Sequence, residues 1–163
     1  MNLKTTIGLF IYIIVLSIFL AYLEIQIEGT DGWAKNLPTW RAKVSNFEIT
    51  GYHLSLWAFV FLYAHMPMFF TGWSFKKESF ALSFFIQLLL LEDSFWFLLN
   101  SEFKGKKDEW REPKIGPIPK FYFIGAFATL FFALLYGSLN WFLCVLALLA
   151  FNTGSFFIQI HGN

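Results

Sequence analysis

Between Ile7 and Leu23 the chain runs seventeen residues without an acid, lysine or arginine, and it does so again over Tyr52–Phe70 and Phe121–Ile160. Phe80–Leu99 is equally apolar except for Ser83, Gln87, Glu92, Asp93 and Ser94. Crossing the hydrocarbon of a bilayer takes about 20 such residues, with a working range of about 17–25. A chain of 163 residues that is 57% hydrophobic and 14% charged cannot hide this surface in one soluble core, because small domains leave much of their surface exposed. Soluble enzymes, disordered regulators and secreted disulfide scaffolds are all poor fits. The expected class is all-α: a polytopic transmembrane helical bundle forming a single integral membrane domain over 1–163. Phenylalanine and β-branched residues do not argue for strands here, since an open sheet edge cannot be satisfied in lipid.

The block Phe121–Ile160 is too long for one helix, and Gly137-Ser138-Leu139-Asn140 near its middle is a turn signal. Splitting there gives Phe121–Tyr136 and Trp141–Ile160, and about five membrane helices in all. The alternative is four spans with a re-entrant C-terminal hairpin. Ile7–Leu23 exceeds a signal-peptide core and no A-x-A-like site follows it, so it is read as a retained helix. The connections are Glu24–Gly51, a short turn around Lys76-Lys77, and Ser101–Lys120. Loops one and three carry Lys35, Arg41, Lys43, Lys104, Lys106, Lys107, Arg111, Lys114 and Lys120, against Lys4, Lys76 and Lys77 on the other side. This bias places those loops and the C-terminus in the cytoplasm and the N-terminus outside, for a multi-pass protein of the cell membrane.

A formal charge of +1 with no basic stripe leaves nothing for nucleic acid to bind. Cys144 stands alone in an apolar run and reads as a small buried hydrophobe. Nucleophile-elbow, Walker A, dinucleotide-binding and C-x-x-C patterns are all absent.

Counted at about 1.5 Å per residue, Glu92 and Asp93 lie about 10–12 Å inside the cytoplasmic end of their helix. Ionisable groups at such depth face the bundle interior and are functional candidates by default. As neighbours they point roughly 100° apart, so one narrow site on an ideal helix cannot hold both. We expect them, with His53, to be catalytic acid–base groups. The structural alternative is a buried acid that only bonds a neighbouring helix. Polar residues of four helices reach the same end: Glu24 and Glu28; His53; Glu92, Asp93 and Asn100; Asn152 and His161.

Glu24 and Glu28 share a face at i, i+4 if their helix continues that far, and solvated acids at a helix end are the ordinary reading. With His161 they form an expected metal-ligand set. Together with His53, Glu92 and Asp93 they offer the oxygen and nitrogen donors that a divalent metal takes. No cofactor is otherwise identified. The two arginines each follow a tryptophan, in Trp40-Arg41 and Trp110-Arg111. Tryptophan prefers the headgroup level and guanidinium grips phosphate in a fork, so anchoring explains the pairing, and phosphate binding would sharpen it. Expected substrate-binding residues are therefore Arg41, Arg111, Trp40, Trp96, Trp110, Asn100 and Asn152.

Leu90-Leu91-Glu92-Asp93-Ser94-Phe95-Trp96-Phe97 loosely resembles the acidic-pair-then-aromatic motif of membrane lycopene-type carotenoid cyclases. The resemblance covers eight residues, has Leu90 where that motif would carry proline, and assigns no family. It implies acid catalysis on a polyisoprenoid in an aromatic-lined pocket. The leading expectation is a small intramembrane enzyme acting on a lipidic or isoprenoid substrate through acids near the cytoplasmic side. The alternatives are an accessory subunit of a larger membrane complex and a small oligomeric transporter or channel. Expected partners are membrane lipids, with a second copy or a membrane partner subunit in the latter cases.

Overall fold

The apolar runs become five helices in the computed structural model, which describes residues 1–29, 31–44, 47–100, 114–115 and 118–161. They are α1 (Leu3–Glu28), α2 (Gly51–Thr71), α3 (Phe75–Leu99), α4 (Lys120–Tyr136) and α5 (Leu139–His161). By length and composition α1, α2 and α3 can cross a membrane, whereas α4 and the 139–155 part of α5 are shorter apolar helices. Four of these starts have a local cause. Asn2 caps α1 by accepting from the Thr5 amide, Thr50 caps α2 through the His53 amide, and Ser74 caps α3 through the Lys77 amide. Gly137 at φ 75° makes the turn into α5. Pro67 lies within α2, where it cannot donate to the preceding turn.

Lys76 and Lys77 belong to the first turn of α3, and the α2–α3 turn is 72–74. The reason is the Ser74 cap together with Lys77, whose ammonium reaches back to the carbonyls of Thr71 and Gly72 and satisfies the C-terminal end of α2.

Two strand pairs lie outside the helices. β1 (Arg41–Val44) and β2 (Phe47–Thr50) pair antiparallel with Lys43 opposite Glu48, and β3 (Lys114–Ile115) pairs with β4 (Ile118–Pro119). Arg-Ala-Lys-Val and Phe-Glu-Ile-Thr alternate in polarity with period two, which suits a hairpin once the backbone leaves the apolar helices.

α3 is the central element against which the other four helices pack, while α1 and α2 scarcely touch one another. The core joins Ile13, Val60, Leu88, Leu91, Ala133, Trp141 and Val145, taken from all five helices. Gly125 of α4 admits Leu90 of α3 so closely that a Cβ there would sit 2.9 Å from Leu90 Cδ2, the small-residue packing common between apolar helices. The outer face is apolar: Phe69 is 87% exposed and Phe127 74%, far from what a soluble surface presents.

The helices alternate in direction, and two bonds set their levels. Asn140 Nδ2 donates to the Met1 carbonyl at 3.0 Å, bringing the α4–α5 turn to the start of α1. Asn100 Nδ2 donates to the Gly29 carbonyl at 3.3 Å, bringing the C-terminal ends of α1 and α3 together.

Candidate functional site

At the end of the bundle where α1 and α3 finish and α2 begins, Glu24, Glu28, His53 and Glu92 are all buried. α1 remains helical through Glu28, so the i, i+4 acids stand on one face turned inward, and neither is solvated. His53 Nε2 lies 3.3 Å from Glu28 Oε1 and 3.7 Å from Glu24 Oε1. The buried Glu92 carboxyl lies near that of Glu24. Neighbouring buried carboxyls disfavour each other's charge, which a proton or a cation relieves.

The imidazole is held on every side. Its Nδ1 is 2.6 Å from Thr50 Oγ1, which also accepts the His53 amide. The ring packs against Trp33, Tyr52 and Trp57, with centroids 4.6, 5.2 and 6.1 Å away. When Nδ1–H donates to the threonine, the Nε2 lone pair faces the two glutamates, the arrangement that orients a histidine as a ligand or base.

A folded loop closes this end. Trp33 and Ala34 both adopt positive φ, at 51° and 49°, a conformation that non-glycine residues take only when their surroundings enforce it. The consequence is that the buried Ala34 amide points down and donates to Glu28 Oε1 at 2.5 Å. Arg41 secures the loop from above: Nη2 donates to the Ala34 carbonyl, and Nη1 meets Glu48 Oε1 at 2.7 Å. Trp33 Nε1 donates to the Glu48 carbonyl at 3.2 Å. Arg41 thus joins the hairpin to the loop, and Trp40, 55% exposed, packs on Gly51 at the start of α2.

The remaining residues singled out from the sequence fall in several places. Asp93, next to Glu92 on α3, lies near the buried Tyr122 of α4. Asn152 of α5 is buried and accepts from Ser94 at 3.1 Å. Trp96 is buried on α3, and Asn100 ties α3 to Gly29. Trp110, Arg111 and the His161 side chain lie outside the described residues. The structure therefore groups Glu24 and Glu28 with His53 and Glu92, leaves Asp93 on the α4 side, and puts Arg41 in the cap. Nothing in the sequence marks Trp33 or Ala34 for this role, and a threonine three residues before His53 is the one signal that points to Thr50.

An apolar groove approaches the acids. Between α1 and α2 lies a cavity of about 190 Å³ lined by Leu16, Leu20, Phe59, Val60, Tyr63 and Leu88. Leu20 and Leu88 stand one helical turn from Glu24 and Glu92 on the same faces, and Phe59 at the rim is 64% exposed. Chemically, the arrangement can hold a proton or a cation among three carboxyls and an imidazole, beside an apolar channel opening outward.

Comparison with protein-family models, with curated proteins and with solved structures finds no match to this chain.

Proposed function

We propose that this protein is a multi-pass membrane enzyme that carries out acid–base chemistry on a lipidic or isoprenoid substrate. The reading has five crossings, the N-terminus outside and the capped end in the cytoplasm, as the lysine and arginine bias suggests. The observation that carries it is the groove between α1 and α2, apolar along its walls, whose Leu20 and Leu88 stand one helical turn from Glu24 and Glu92. A groove of about 190 Å³ suits a stretch of alkyl or prenyl chain, smaller than the cavity a whole drug-sized ligand fills.

In this reading the substrate enters sideways from the bilayer between α1 and α2 and lays its apolar part along Leu16, Leu20 and Leu88. Its reacting end meets Glu92, which exchanges a proton with it, while Glu24, Glu28 and His53 set the charge beside that carboxyl. The loop 31–40 and the β1–β2 hairpin keep water from this end. Asp93, on the α4 side near Tyr122, has a supporting role. A transport role would call for a polar path, whereas the walls of this groove are apolar.

Glu92→Gln and Leu16→Trp test the proposal, the first removing the proton donor and the second filling the groove. Loss of a positioned acid or base costs about 10²–10⁴-fold in rate. Both variants are expected at wild-type abundance with the same shift in cellular lipid composition, a precursor rising and a product falling at least about tenfold. Well-folded variants with wild-type lipids would overturn the enzyme. Loss of abundance from Glu92→Gln, with wild-type lipids in Leu16→Trp, would instead indicate a structural acid in an accessory subunit.

A further inference from the structure

We propose that Glu24, Glu28 and His53 hold a divalent first-row transition-metal ion beside the buried Glu92 carboxyl. The inference does not depend on the enzymatic reading, since it concerns what the buried end of the bundle binds.

The donor atoms are already gathered. One ligand atom from each of the three residues lies within 4.8 Å of the others, and His53 Nε2 is 3.3 and 3.7 Å from the glutamate oxygens. Two donors each about 2.1 Å from a shared ion stand at most about 4.2 Å apart. The set therefore closes on an ion by small rotations of glutamate side chains. The three residues come from two helices whose ends the cap fixes, so the site is built by tertiary structure and is more than a run of acids.

A second observation points to a ligand. Glu92, on the α3 face beside Glu24, is 4% exposed, and its Oε1 has no hydrogen-bond partner. Native proteins seldom leave a buried carboxyl oxygen unsatisfied. Among the described residues no lysine or arginine pairs with Glu24, Glu28 or Glu92, and His53 is the only basic group that meets Glu24 and Glu28. Buried carboxylates ordinarily pair with cationic side chains or coordinate metal, and here a metal ion is the missing charge.

The surroundings match those of a metal ligand. A ligating histidine almost always donates its second ring N–H to a fixed acceptor, and Thr50 Oγ1 lies 2.6 Å from Nδ1. Glu28 is likewise fixed by the Ala34 amide. One imidazole nitrogen with carboxylate oxygens selects Zn²⁺, Mn²⁺ or Fe²⁺ over Mg²⁺ and Ca²⁺, which prefer oxygen alone.

The test uses the full chain purified in detergent, its metal content measured by mass spectrometry, then stripped with chelator and titrated with Zn²⁺ and with Mn²⁺. One ion per chain is expected, with a rise in thermal stability on loading. Glu28→Gln and His53→Asn should each weaken binding by at least about a hundredfold, and Thr50→Val by about 10–100-fold as the loss of an outer partner. His65→Asn, altering the histidine that meets Glu78 at 3.1 Å near the α2–α3 turn, should bind as wild type. Leu16→Trp should also bind as wild type even where it abolishes the lipid effect, which separates failure of the groove from failure of the metal. Stripped wild type that takes up neither ion overturns the site, as does a folded Thr50→Val or His53→Asn that binds with wild-type affinity.

Discussion

Thr50 Oγ1 accepts the His53 amide at 3.2 Å and lies 2.6 Å from His53 Nδ1, so one hydroxyl both caps α2 and orients the imidazole. Replacing it with valine keeps the shape and removes both contacts. Thr50→Val is expected to lower stability by about 1 kcal/mol, the usual cost of losing an N-cap, while Thr50→Ser should retain wild-type stability. Thermal melting of the purified protein checks both, and an unchanged valine variant would mean that the hydroxyl does not cap α2. How much could be read from the residues varied with how they differ from their neighbours. Glu92 is conspicuous because an acid in an apolar run has few explanations, and His53 stands out for the same reason. Glu24 and Glu28 look like solvated acids at a helix end, because only the loop folding over them takes them out of water. The positive φ at Trp33 and Ala34 is forced by tertiary contacts and leaves no trace in side-chain type. Ser83 accepts Trp141 Nε1 at 3.0 Å and meets Thr129 across three helices, but small hydroxyls are too common in apolar helices to announce such pairing.

The five helices follow from unbroken apolar length, a local property, whereas the cap is assembled from pieces that only tertiary structure brings together. Arg41 holds Ala34 and Glu48, Trp33 covers His53, and the Trp40 carbonyl accepts the Gly51 amide at 3.0 Å. The Trp40 indole lies so close to Gly51 that a Cβ there would stand 2.8 Å from Trp40 Cδ1. Gly51→Ala should therefore push the indole aside, with overpacking of about 1–3 kcal/mol only partly offset by the helix preference of alanine, about 1 kcal/mol. The expected result is a lower melting temperature with Trp40 in place and no loss, or a gain, in a Trp40→Ala background. A four-variant cycle isolates this coupling. Equal effects of Gly51→Ala in both backgrounds would show that the indole does not govern the start of α2.

For the molecule as a whole, charge and structure bear on the same question from different sides. With five crossings, loops one and three would share a side with the C-terminus, and the lysine and arginine bias would make that side cytoplasmic. In the structure the C-terminal ends of α1 and α3 meet through Asn100 and Gly29, and the α4–α5 turn reaches the level of Met1 through Asn140. α4 has 17 residues, about 26 Å at 1.5 Å per residue, close to the hydrocarbon thickness of about 30 Å. A re-entrant hairpin would turn back within the bilayer, whereas a fifth crossing would bring the α4–α5 turn out at the far face. Leu139, 71% exposed at that turn, makes the distinction measurable. In a Cys144→Ala background, Leu139→Cys should react with a membrane-impermeant maleimide added outside intact cells, and a reporter fused after Asn163 should be active only in the cytoplasm. Labelling from outside with a cytoplasmic reporter is the five-crossing result. A cysteine that stays unlabelled in intact cells and in opened vesicles, with the reporter still cytoplasmic, would favour the re-entrant hairpin. A reporter active outside would reverse the orientation and place the capped acidic end at the outer face.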